Sequence, residues 1–92
     1  MPAWVRYLVR PSYEFLEAAL CALSRRRARL LAERPLELGT PVLLHLPSLP
    51  RLARVVSARP SGAGDHVLQC RFAAPVRSRS VILLRHELGP GD

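Results

Sequence analysis

The segment SYEFLEAALCALSRRRARLLAER, residues 12–34, decides the fold because it can form either one long helix or two strands. Its alanines, leucines, glutamates and arginines favour a helix. The alternative is a strand over 13–23 and a second over 28–32, joined by a turn at Ser24-Arg25-Arg26. Propensity favours the helix, because one apolar stripe has helical spacing: Phe15, Leu16, Ala19, Leu20, Leu23, Leu30 and Leu31.

The chain beyond residue 40 has the alternation typical of antiparallel strands. In residues 67–72, Leu68, Cys70 and Phe72 fall on one face, which is the pattern of a half-buried strand. Residues 42–46 alternate in the same way between turn-forming stretches. A third run, 52–58, leads through the glycine-containing loop at 60–65 into the 67–72 strand, and this arrangement predicts a hairpin.

The end of the chain has a helical pattern. Val81, Leu84 and Leu88 are spaced as on one face of a helix, and Gly89-Pro90 follows as a stop signal. We therefore expect a short C-terminal helix within residues 76–88.

Length and composition limit the kind of protein. Ninety-two residues predict a single domain spanning 1–92. The longest apolar runs are much shorter than the roughly 20 residues that cross a bilayer, so no membrane span is expected. The N-terminus lacks the pattern of a secretory signal, and the cytoplasm is the expected location. There Cys21 and Cys70 stay reduced, and no metal or cofactor is expected.

All fourteen basic residues are arginine, and the net charge is +7. A coding bias toward G and C can replace lysine by arginine without any functional demand. The alternative cause is an anionic partner, because guanidinium groups bind phosphate and guanine edges through paired hydrogen bonds. Charge alone does not distinguish the two causes.

Four pieces of sequence follow one another in a familiar order: RYLVR at 6–10, LSRRRARLLAERPLELGTPVLLHLP at 23–47, RLARVV at 51–56 and LQCRF at 68–72. This order resembles the PilZ family of bacterial cyclic di-GMP receptors. The family has an R-x-x-x-R motif, matched here by Arg6 and Arg10, and then a [D/N]-x-S-x-x-G motif, in which Ser24 matches the serine.

The resemblance implies a mainly β fold, a six-stranded antiparallel PilZ-like barrel with a short C-terminal helix. It also implies that residues 12–34 form strands despite their helical propensity. The two arginines of the first motif would hold phosphate and guanine, which makes Arg6, Arg10 and Ser24 the candidate ligand-binding residues. Arg25 adds positive charge beside them.

The second motif departs from the family at two positions. Ala22 stands where the family has Asp or Asn, so it cannot accept a hydrogen bond from guanine. Arg27 stands where the family has Gly and adds a long side chain. We therefore expect weakened affinity for cyclic di-GMP.

These features favour a binding module that relays cyclic di-GMP occupancy to a protein partner. A second hypothesis is a degenerate PilZ-like module that binds proteins and no nucleotide. A basic nucleic-acid-binding domain is third and least favoured, because the five aromatic residues do not cluster on one strand face. No enzyme is expected: Ser24 lacks a nucleophile-elbow motif, the histidines are scattered, and the carboxylates are unpaired.

Overall fold

The computed structural model describes residues 2–9, 12–46 and 49–77 and shows a mainly β protein. The described residues contain no helix. Neighbouring strands are antiparallel, and the ring closes in the order β1-β2-β3-β6-β5-β4. The predicted six-stranded antiparallel barrel is therefore confirmed. Its strands are β1 Pro2–Val9, β2 Ser12–Leu23, β3 Arg27–Ala32, β4 Pro41–Leu46, β5 Leu49–Pro60 and β6 His66–Phe72.

A bulge in strand β2 explains why its leucines have helical spacing. Leu16, Ala18 and Leu20 are buried at alternate positions, as a strand requires. A bulge between Leu20 and Ala22 then shifts the register, and Leu23 becomes the next buried leucine. A bulge inserts one residue into a strand, so the buried face passes from even to odd numbers. Leucines 16, 20 and 23 thus have helical spacing inside a strand.

Strand β3 keeps strict alternation. Ala28, Leu30 and Ala32 are buried, while Arg27 and Arg29 are exposed. The strand pairs with β2 on one side and with β6 on the other. The helix favoured by propensity is therefore absent, because pairing on both edges and burial of alternate side chains outweigh a helical preference of well under 1 kcal/mol per residue.

The barrel interior is filled by apolar side chains, mostly leucine, valine and alanine. Among the described residues no polar or charged side chain is buried, so a ligand can be bound only on the outer surface or at the ends of the barrel. The core consists of Val5, Leu16, Ala18, Leu20, Leu23, Ala28, Leu30, Ala32, Val42, Leu44, Ala53, Val55, Leu68, Cys70, Phe72 and Val76.

The β5–β6 loop has the glycine geometry of the predicted hairpin. Gly62 and Gly64 have φ angles of 88° and 90°, a region that glycine enters without steric cost. The N–H of Ser61 donates to the carbonyl of Asp65 at 2.9 Å, which closes the loop. The predicted antiparallel pairing of β5 with β6 is confirmed.

The segment after β6 returns to the β2–β3 turn. Val76 is buried, and its N–H donates to the carbonyl of Arg25 at 2.7 Å. The helix predicted within 76–88 falls almost entirely outside the described residues and stays a prediction. Within the described part of the chain, no helix has the length and apolar character needed to cross a membrane.

Candidate functional site

A pocket of about 240 Å³ opens where β2 turns into β3. It contains positions 22, 24 and 27, the three positions at which the sequence was compared with the [D/N]-x-S-x-x-G motif. The strand ladder adds two more side chains, because Arg29 pairs with Ala22 on one side and with Gln69 on the other. We call this site the turn pocket, and it is lined by Ala22, Leu23, Ser24, Arg27, Ala28, Arg29 and Gln69.

Ser24 caps the turn at the edge of the pocket. Its hydroxyl oxygen accepts hydrogen bonds from the N–H groups of Arg26 at 3.3 Å and Arg27 at 3.1 Å. The N–H of Ser24 donates to the carbonyl of Arg27 at 2.8 Å. A serine hydroxyl that closes a turn in this way fixes the backbone that carries the neighbouring arginines.

Arg25 lies in the same turn but does not line the pocket. Its Nε donates to the carbonyl of Val76 at 3.1 Å, and its own carbonyl accepts from the N–H of Val76. This double contact ties the turn to the segment after β6. The structure thus places Arg25 beside the pocket, with a structural bond already formed.

Arg27 begins β3, so its backbone is extended. The left-handed conformation that a glycine would favour does not occur at this strand position. The arginine therefore brings its guanidinium group to the pocket without backbone strain. At this position the chain offers a hydrogen-bond donor, whereas a glycine would allow a close backbone approach.

Arg6 lies far from the turn pocket. In the closed ring, β1 stands opposite β6, the strand that carries Gln69. Arg6 pairs with Phe15, and roughly 26 Å of β2 separates that position from Leu23 at a rise of about 3.3 Å per residue. The structure does not bring Arg6 and Ser24 together. Arg10 lies outside the described residues, and its role in a phosphate clamp stays a prediction.

The outer face of β3, β6 and β5 carries five exposed arginines. Arg27 pairs with Arg71, and Arg71 pairs with Arg54, so three of them form a row across three adjacent strands. We call these three residues the arginine row. The larger set, which we call the arginine face, consists of Arg27, Arg29, Arg54, Arg59 and Arg71.

No carboxylate lies within ion-pair distance of the arginine face in the described part of the chain. Arg34 forms an ion pair with Glu14 at 3.7 Å, outside the arginine face. Arg54 is held by a neutral contact, in which its Nη1 donates to the carbonyl of Gly39 at 3.0 Å. The face is therefore strongly cationic.

The row itself was missed by sequence reasoning. Alternation in β6 places Gln69 and Arg71 on its outer face, and this much is readable from the chain. The alignment of Arg71 with Arg27 and Arg54 depends on the register between strands that are distant in sequence, for which no local signal exists.

A second outer surface, which runs from β2 over β1 and β4 to β5, is mostly apolar and contains Arg6. Phe15 pairs with Arg6, Arg6 with Leu43, and Leu43 with Leu52. Phe15 and Leu52 are 57% and 64% exposed, and Trp4 beside them is 49% exposed. We call Trp4, Phe15, Leu43 and Leu52 the apolar row.

The two cysteines are free thiols in different surroundings. Cys70 is buried in the barrel core, and burial raises the pKa of its thiol to about 12. Cys21 is half-buried at the β2 bulge. The described residues contain no group of three or more His, Cys, Asp or Glu side chains that could hold a metal ion.

Comparison of the chain with protein-family models, with curated proteins and with solved structures found no match.

Proposed function

We propose that this chain is a non-catalytic PilZ-like binding module that takes cyclic di-GMP at the turn pocket and relays its occupancy to a protein partner. The observation that carries the proposal is the coincidence of the pocket with the second motif. The resemblance to the second motif singles out positions 22, 24 and 27, and these positions line one pocket of about 240 Å³.

The side chains of the turn pocket suit a guanine base and its phosphate. Guanine presents the acceptors O6 and N7, which arginine contacts through paired hydrogen bonds. Arg27 and Arg29 supply such donors. The N1–H and N2–H groups of guanine need an acceptor, and the amide oxygen of Gln69 can take the place of the carboxylate that Ala22 lacks.

The pocket volume limits how the nucleotide is held. Pockets that bury a whole drug-sized ligand measure about 300–1,000 Å³. The turn pocket, at about 240 Å³, is smaller, so we propose that it receives one guanine or one phosphate while the rest of the ligand stays in solvent outside the pocket. Such partial burial agrees with the weakened affinity expected from Ala22.

Calorimetry with cyclic di-GMP at low salt tests the proposal through Gln69. Replacing Gln69 by methionine keeps the side-chain length and removes one neutral hydrogen bond, so affinity should fall about two- to tenfold. Ala22→Asp adds a charged acceptor and should raise affinity roughly ten- to a hundredfold. If Ala22→Asp leaves the barrel folded and still without heat at millimolar nucleotide, the turn pocket is not a cyclic di-GMP site.

The second candidate function, protein binding without nucleotide, is favoured by the apolar row. Trp4, Phe15 and Leu52 are large exposed apolar side chains grouped around Arg6, and exposed apolar patches rimmed by polar residues are typical of surfaces that contact another protein. If cyclic di-GMP gives no heat with any variant, this function replaces the first. Phe15→Ser together with Leu52→Ser should then remove partner binding while the turn-pocket variants leave it unchanged.

A further inference from the structure

The register of β3, β6 and β5 aligns arginines directly opposite one another, which a fold selected only for stability would avoid. Like charges that face each other across strands are destabilising. Arg71 has an arginine on each side, Arg27 on β3 and Arg54 on β5. Since neighbouring strands lie about 5 Å apart, the row places the Cα atoms of the three arginines within a span of about 10 Å.

The surroundings of the row concentrate positive charge further. Arg29 and Arg59 lie on the same outer face, one on each flanking strand. The outer positions of the face between them are Leu31, Val67, Gln69, Val56 and Ser57, and none of these is acidic. Arg54 is also oriented by its hydrogen bond to Gly39. The face thus presents five cations and no competing carboxylate.

We propose that the arginine face binds the phosphodiester backbone of a nucleic acid duplex. A regular polyanion with closely spaced phosphates is the partner whose charge matches a row of guanidinium groups, which bind phosphate through paired hydrogen bonds. The face carries no aromatic side chain on which an unpaired base could stack, so a duplex suits it better than a single strand. Contacts to phosphates alone make this binding independent of sequence.

This inference is independent of cyclic di-GMP binding, because Arg54 and Arg71 do not line the turn pocket. Arg27 and Arg29 belong to both sites. The two functions therefore share Arg27 and Arg29, and substitutions at Arg54, Arg59 or Arg71 separate them.

The test is the salt dependence of binding to a short mixed-sequence DNA duplex, followed by fluorescence anisotropy. Each neutralised phosphate contributes about 0.9 to the slope of log K against log salt. The double variant Arg54→Gln/Arg71→Gln should therefore reduce the slope by about 1.8. At low salt its affinity should fall more than tenfold, while its affinity for cyclic di-GMP stays unchanged.

The matched control is Arg6→Gln/Arg34→Gln, which removes the same number of charges away from the face. Arg6 lies on the strand opposite β6, and Arg34 pairs with Glu14 beyond the end of β3. We expect this control to keep the slope within about 0.5 of the original protein. Circular dichroism shows whether each variant retains the barrel.

Two results overturn the proposal. One is an equal reduction of the slope of log K against log salt in both double variants, because binding would then depend on net charge and not on the arginine face. The other is equal binding of polyglutamate or of phosphatidylserine vesicles with the same dependence on Arg54 and Arg71, which assigns the face to an acidic protein or to a membrane surface. Failure of the turn-pocket variants in calorimetry does not affect this test.

Discussion

Replacing Arg71 by glutamine should stabilise the fold, because it relieves two repulsive contacts at once. Arg71 is opposed by Arg27 and by Arg54, and no carboxylate lies near it among the described residues. Two unit charges about 6 Å apart in water repel by about 0.7 kcal/mol. Screening at physiological salt reduces the repulsion in each pair to about 0.3 kcal/mol.

The unfolding free energy of Arg71→Gln should therefore rise by about 1 kcal/mol at low salt and by about half as much at physiological salt. Arg71→Glu should stabilise further, since it converts repulsion into attraction on both sides. Urea denaturation followed by the fluorescence of Trp4, the single tryptophan, measures the change.

Arg59→Gln is the matched control, because Arg59 is exposed on the same face but is opposed by Val67 rather than by an arginine. It should change stability little and without a salt dependence. If Arg71→Gln destabilises the protein, or behaves as Arg59→Gln does at low salt, the three arginines are not cross-strand neighbours. If Arg71→Gln stabilises the fold and weakens duplex binding, the row is kept for function at the expense of stability.

Two further predictions concern buried groups. Burial raises the pKa of the Cys70 thiol from its ordinary value of 9.0 to about 12. Above pH 9 the folded state therefore keeps a proton that the unfolded state loses. The free energy of unfolding is unaffected by this thiol below pH 9 and falls by at most about 1.4 kcal/mol per pH unit above it. Urea denaturation from pH 8 to 11 should show a steeper decline in the original protein than in Cys70→Ala, and equal declines would contradict the assignment. His45 has a buried Nε2 with no hydrogen-bond partner in the described structure, and its ring centroid lies 6.2 Å from that of Phe15. His45→Phe keeps the ring and removes the unsatisfied atom, so thermal denaturation should show a gain of about 1 kcal/mol, whereas a loss would mean that Nε2 has a partner.

The strands of the second half of the chain were predictable from local pattern. Alternating burial at Leu68, Cys70 and Phe72 follows from the period of a strand, and the glycines of the 60–65 loop mark the hairpin. These signals are short-range, because a strand with one buried face needs only its own alternation to be recognised.

Residues 12–34 could not be assigned from local pattern. The β2 bulge between Leu20 and Ala22 breaks the alternation that would have identified a strand. Sequence statistics cannot place a bulge whose position is fixed by pairing with β1 and β3. The resemblance to the PilZ family supplied that long-range information, and the strands it implied are present.

The candidate site was predictable only in part. Ser24 lines the turn pocket, but Arg29 and Gln69 join it through pairing across β3 and β6, and sequence reasoning did not select them. Arg6 was selected from a motif, and the ring places it on the strand opposite β6. The register between strands and the order of strands in the ring determine which side chains meet on a barrel surface. Neither can be inferred from the local pattern of a single sequence.

The central claim, that the turn pocket binds cyclic di-GMP, is tested most directly by NMR. The nucleotide is titrated into protein labelled with the heavy nitrogen isotope, and the chemical-shift changes of the backbone amides are mapped onto the structure. The claim predicts saturable shifts at residues 22–29 and at Gln69, with much smaller shifts around Arg6 on β1. Arg29→Gln should weaken these shifts more than Arg59→Gln, which removes the same charge outside the pocket. Shifts centred on β1, or no saturable shift at millimolar nucleotide, would contradict the claim.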